Sequence, residues 1–126
     1  MCMIKPALLK SSFVHALRGL WVACKIEQSF RLHIIFAFLV ILLAAQLHVS
    51  PWDWVVLLLM IGAVMTLELL NSVFERLVDM FRPRLHPEVK DLKDILAGIV
   101  LLMAFLSAII GAIIFWPYLF PLFFPY

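Results

Sequence analysis

The chain is poor in the residues that build most nucleotide and metal sites. It has four glycines, no Gly-x-x-x-x-Gly-Lys-Ser/Thr string and no Gly-rich loop, which excludes a phosphate cradle of the P-loop or glycine-loop type. Its two cysteines, Cys2 and Cys24, both fall near the N-terminus; they are too few for a disulfide framework and read as inert small residues. His15, His33, His48 and His86 are scattered, so no cysteine–histidine metal cluster is present. No signal peptide is recognisable, because Lys5, Lys10, Arg18, Lys25, Glu27 and Arg31 interrupt the N-terminal apolar residues. Insertion into a membrane is therefore expected to be directed by the spans themselves. Charge is scarce as well: Asp, Glu, Lys and Arg make up 14% of the chain.

What is abundant is apolar. Hydrophobic residues account for 66% of 126 positions, and the mean hydropathy is +1.12. A globular domain is typically about half apolar, so the composition predicts a membrane protein, all-α and one domain over residues 1–126. Three apolar runs, 32–49, 54–74 and 95–116, are candidate transmembrane helices. Before them, residues 8–25 place Phe13, Leu17, Leu20, Trp21 and Cys24 at helical spacing. This predicts an amphipathic helix lying at the membrane surface within a segment 5–30. After them, residues 117–126 form an aromatic tail whose three prolines argue against continuing the third helix. Its aromatics suit an interfacial anchor.

The few charges are sorted. All ten basic residues lie before the first run (Lys5, Lys10, Arg18, Lys25, Arg31) or between the second and third (Arg76, Arg82, Arg84, Lys90, Lys93). Residues 46–53 have none, and neither does the tail. The positive-inside rule then puts the N-terminus and the 76–93 segment in the cytoplasm and the C-terminus outside.

Beginning inside the second run and continuing past its end, Glu68, Asn71, Glu75 and Asp79 are spaced three, four and four residues apart, which stacks them on one helix face. A carboxylate in hydrocarbon costs roughly 3 kcal/mol on insertion scales, so Glu68 is a candidate functional residue. Magnesium takes one or two carboxylates together with substrate phosphates. Glu75, near the end of its run, and Glu27, near the interface, are placed to hold it where a soluble nucleotide meets the bilayer. Lys93 and Asp94 open the third span, where a lysine can pair with phosphate. Glu68, about two turns deeper than Glu75, is placed to act as a base on a group presented from the lipid side. A non-enzymatic reading competes: interhelical glue with Arg76 neutralising a carboxylate, or a small proton-coupled transporter subunit. That reading gives no reason for Glu27, Glu75, Lys93 and Asp94 to gather at one membrane surface.

Longer strings resemble a known family. Glu68-Leu-Leu-Asn71-Ser72-Val-Phe-Glu75-Arg-Leu-Val78-Asp79 is followed by Pro83-Arg-Leu-His86-Pro87, Lys90 and Lys93-Asp94-Ile-Leu-Ala97-Gly98. It is preceded by Phe13-Val-His-Ala16-Leu-Arg-Gly19-Leu20, Glu27 and Arg31-Leu-His33. In order and spacing these segments resemble the small integral-membrane lipid kinases of bacteria, the prokaryotic diacylglycerol kinase/undecaprenol kinase family, over roughly residues 8–116. The resemblance implies a homotrimer of three-span subunits in the bacterial cytoplasmic membrane, with active sites at subunit interfaces. It implies transfer of the γ-phosphate of ATP to a lipid hydroxyl, with Mg2+ as cofactor and no nucleic-acid partner. On the family pattern Glu68 is the general base, and Glu27 and Glu75 are the magnesium carboxylates. Asn71, Asp79, Lys93 and Asp94 match the nucleotide site, Arg84, Leu85 and His86 the segment over the nucleotide, and His15 a nucleotide contact. Arg31 matches a basic position near the lipid headgroup. Lys10 stands nearest the basic position at the start of the surface helix, although Leu8 and Leu9 occupy part of that stretch. Arg31-Leu-His33 and Pro83-x-x-His86-Pro87 look more like the undecaprenol-kinase branch than the diacylglycerol-kinase branch.

Overall fold

Four helices follow one another in the computed structural model, which describes residues 6–80 and 88–123: α1 (Pro6–Ile26), α2 (Gln28–Gln46), α3 (Pro51–Met80) and α4 (Glu88–Phe123). Pro6 begins α1, where its fixed φ suits a first helical turn and its missing N–H costs nothing. One residue separates α1 from α2. Glu27 is extended at φ −94° and ψ 115°, while its N–H still donates to the Ala23 carbonyl at 2.9 Å. The Arg31 guanidinium reaches back and donates to the carbonyls of Cys24 (3.4 Å) and Lys25 (3.1 Å). It thus satisfies the last acceptors of α1 and fixes the elbow from which Glu27 projects.

The turn between α2 and α3 is built by two caps. His48, at φ 49°, takes the left-handed position after α2. Its N–H donates to Ala45, and that of Val49 to Ala44, the pairing of a Schellman motif. Val49 and Ala44 also pack together in the apolar cluster at this end of the bundle. The apolar run continues to Val49, but the helix ends at Gln46 because His48 reverses the chain. Ser50 then caps α3: its Oγ accepts the Asp53 N–H at 3.2 Å and donates to Asp53 Oδ2 at 2.8 Å. Pro51 takes the first helical position.

The helix of the third apolar run does not stop at Trp116. Contrary to the expectation from its prolines, α4 runs through Pro117 and Pro121 to Phe123. Each proline removes one backbone hydrogen bond and crowds the preceding turn, a local cost of about 3 kcal/mol. Tertiary contacts offset it. Tyr118 and Leu119 pack on the cluster of Ala44, Val49, Leu57 and Phe115. The Tyr118 hydroxyl accepts the Ser50 N–H at 3.0 Å and donates to Asp53 Oδ2 at 2.7 Å. Tyr118→Phe is expected to lower stability by about 1–2 kcal/mol, since the Ser50 N–H loses its partner. Thermal unfolding in a fixed detergent checks this; an unchanged midpoint would dismiss the clamp.

Three of the helices are long and apolar enough to cross a membrane: Gln28–Gln46, Pro51–Met80 and Glu88–Pro121. At about 1.5 Å per residue, α3 and α4 exceed a hydrocarbon core of about 30 Å. Large apolar side chains such as Phe36, Phe38, Leu59, Leu101 and Phe105 point outward, as lipid or neighbouring helices require.

Candidate functional site

The polar residues gather at the end of the bundle opposite the Tyr118 clamp. Here the α1–α2 elbow, the second half of α3 and the first turns of α4 meet. The inward stripe of α3 buries Leu57, Val64, Glu68, Ser72 and Val78, so Glu68 and Ser72 sit one turn apart on the face that also carries the apolar core. Glu68 is 6% exposed.

Glu27 closes the gap between the elbow and α3. Its Oε1 accepts from Ser72 Oγ at 2.9 Å and from the Arg76 guanidinium at 3.2 Å. On the next part of the same helix, Glu75 Oε1 pairs with Lys93 Nζ of α4 at 3.8 Å. The two expected carboxylates therefore lie within one turn of α3, each with a cation beside it. Both are partly screened from solvent, with side chains 24% (Glu27) and 34% (Glu75) exposed. Between Glu68 and Glu75, Asn71 Oδ1 is buried with no hydrogen-bond partner among the described residues. A buried acceptor without a donor is costly, and amide and carboxylate oxygens are the donor chemistry that hard cations use. Among the described residues no cluster of three or more His, Cys, Asp or Glu forms. This donor set fits magnesium, which completes its shell with water and substrate phosphates rather than a protein cage.

The other expected residues lie on several elements. Asp94 is exposed on α4 and Asp79 on the last turns of α3. Lys10 and His15 are exposed on α1, and Arg31 is engaged at the elbow. Arg84, Leu85 and His86 lie outside the described residues. Ser72 was visible only as one letter of the motif, and its contact with Glu27 links positions 45 residues apart. Arg76 adjoins the stripe in sequence, but no helical periodicity selects Glu27 as its partner.

Beside the site, an apolar cavity of about 510 Å³ opens between α2, α3 and α4. His33, Val64 and Met65 line it near the site, and Leu43, Gly111 and Phe115 farther away. Val64 and Met65 lie one turn before Glu68, so the cavity approaches the buried carboxylate from the hydrocarbon side.

A family model described as prokaryotic diacylglycerol kinase matches residues 14–115. The chain is 40% identical over 106 residues to an undecaprenol kinase of Bacillus subtilis, a match covering 84% of this chain and 86% of the other. It is 37% identical over 115 residues to a diacylglycerol kinase of Synechocystis, covering 90% of this chain and 65% of that longer one. A diacylglycerol kinase of Helicobacter pylori is 34% identical over 101 residues, covering 80% of this chain and 72% of its own.

Proposed function

Because the chain belongs to the prokaryotic diacylglycerol kinase family, we propose that this lipid kinase transfers the γ-phosphate of ATP to the hydroxyl of a membrane lipid alcohol, undecaprenol ahead of diacylglycerol. The observation that carries the reading is the single face of α3. It joins a carboxylate buried among apolar residues, Glu68, to a carboxylate at the polar end, Glu75, with Glu27 held alongside.

Phosphoryl transfer needs in-line positioning and charge neutralisation more than covalent help. Glu68 takes the proton of the lipid hydroxyl as its oxygen attacks the γ-phosphorus and ADP leaves. Glu27 and Glu75 would hold magnesium; bound there, the ion would draw off phosphate charge. Lys93 leaves Glu75 for the phosphates. Asp79, Asp94, His15 and the Arg84, Leu85 and His86 segment complete the nucleotide site. Arg31 and Lys10 serve the lipid headgroup at the surface along which α1 lies. The subunits form a homotrimer whose neighbours enclose the site, which the outward apolar faces and the partly exposed Glu27 and Glu75 support. The sorting of basic residues supports insertion in the bacterial cytoplasmic membrane with the site facing the cytoplasm.

The preference for undecaprenol rests on the identity to the Bacillus subtilis enzyme over 86% of its length and on the apolar cavity whose lining residues Val64 and Met65 lie one turn before Glu68. Purified trimer supplied with ATP and each lipid in turn tests it. Phosphorylation of neither lipid would refute the activity; a preference for diacylglycerol would reverse the choice. Gly111 lines the cavity and a Cβ there meets nothing within 4 Å, so Gly111→Leu adds apolar bulk at the cavity wall. We expect it to raise the lipid KM several-fold and leave the ATP KM alone. An unchanged lipid KM would show that the chain of the lipid lies elsewhere.

A further inference from the structure

Each of the two site carboxylates has its own cation: Arg76 on Glu27 and Lys93 on Glu75. As two matched pairs they balance. A divalent cation bound between the carboxylates would leave both side-chain cations facing it, an arrangement that repulsion disfavours unless anionic groups arrive with the metal. A nucleotide triphosphate brings such groups. Lys93 already has that role in the proposed site; Arg76 has none.

Its chemistry suits the task. A guanidinium presents a planar fork of donors that matches phosphate oxygens two at a time. The Arg76 side chain is 41% exposed, and its backbone adjoins Glu75 one turn beyond Ser72. Arg76 and Ser72 both contact Oε1 of Glu27. If Arg76 moves away, Ser72 Oγ, at 2.9 Å, still orients that carboxylate. We infer that Arg76 is a phosphate-binding residue: it neutralises Glu27 in the nucleotide-free site and passes to the phosphate oxygens when magnesium and nucleotide enter together. The inference rests on the magnesium–ATP site proposed above. It makes metal and nucleotide bind cooperatively, because each removes the obstacle to the other.

The test uses full-length protein in detergent and two binding measurements without turnover: Mn2+ alone, and the magnesium complex of a non-hydrolysable ATP analogue. Arg76→Gln is expected to weaken binding of the analogue complex about tenfold or more, while Mn2+ alone binds as well as or better than in wild type. Arg76→Lys, which keeps charge without the fork, is expected to fall between and controls for folding. Unchanged analogue binding in Arg76→Gln overturns the inference. So does an equal loss of Mn2+ binding, which would make Arg76 only a prop for Glu27. Wild-type protein that bound no analogue complex would instead overturn the underlying site.

Discussion

Glu68→Gln is expected to lower kcat by about 10²–10⁴-fold, the range a positioned proton acceptor supplies, while magnesium–nucleotide binding persists. Glutamine keeps the size of the side chain and removes only its ability to take a proton. The change should not unfold the protein. Glu68 is buried on a helix that spans hydrocarbon, and an amide is less costly there than a carboxylate. Thermal stability should therefore hold or rise as turnover collapses, a combination that a structural role for Glu68 would not give. Steady-state kinetics with saturating lipid separates the cases, because loss confined to kcat marks an interaction used in the transition state. Wild-type kcat in this variant would remove Glu68 from the chemistry.

The second large effect is expected at Glu75. Glu75→Gln removes one of two carboxylates from the proposed magnesium site and should raise the Mg2+ concentration for half-maximal activity by roughly tenfold or more, since even outer-shell partners of a metal cost that much. It also releases Lys93 from its pairing at 3.8 Å. The sign should therefore depend on the metal: nucleotide binding falls with Mg2+ present and holds or improves slightly when Mg2+ is chelated. Titrating nucleotide with and without the ion reads both signs. An unchanged magnesium requirement would exclude Glu75 as a ligand.

Three membrane helices are legible in the sequence because long apolar runs are a one-dimensional signal. The Glu68–Asp79 stripe is legible because a three-and-four spacing needs only one helix. Contacts between distant residues were not. Glu27 and Arg76 are 49 positions apart, and hydropathy carries no information on which acid meets which base. The run of α4 through Pro117 and Pro121 was missed for a related reason. The local penalty of proline is written in the chain, whereas the hydrogen bonds from Tyr118 to Ser50 and Asp53, 68 and 65 positions away, are not. The end of α2 at Gln46 was hidden by a histidine in a conformation more often given to glycine. Arg31 matched a headgroup position by motif, but its contacts with the carbonyls of Cys24 and Lys25 emerge only once the elbow exists.

The unbroken course of α3 from Pro51 to Met80 acts as a ruler. Glu68 and Glu75 are fixed about 10 Å apart along its axis, and neither can approach the other without breaking helical hydrogen bonds. In the proposed reaction accommodation falls to the substrates: the alcohol would sink below the headgroup plane while the nucleotide reaches down from water. A slender alcohol on an apolar chain can reach that depth more easily than a lipid with a wide polar head. After transfer the situation inverts. The new phosphate monoester carries nearly two negative charges at neutral pH, at a level where hydration is thin and a charge is costly. Rising to the interface is then downhill. The fixed depth that makes the alcohol hard to deliver helps to expel its phosphate.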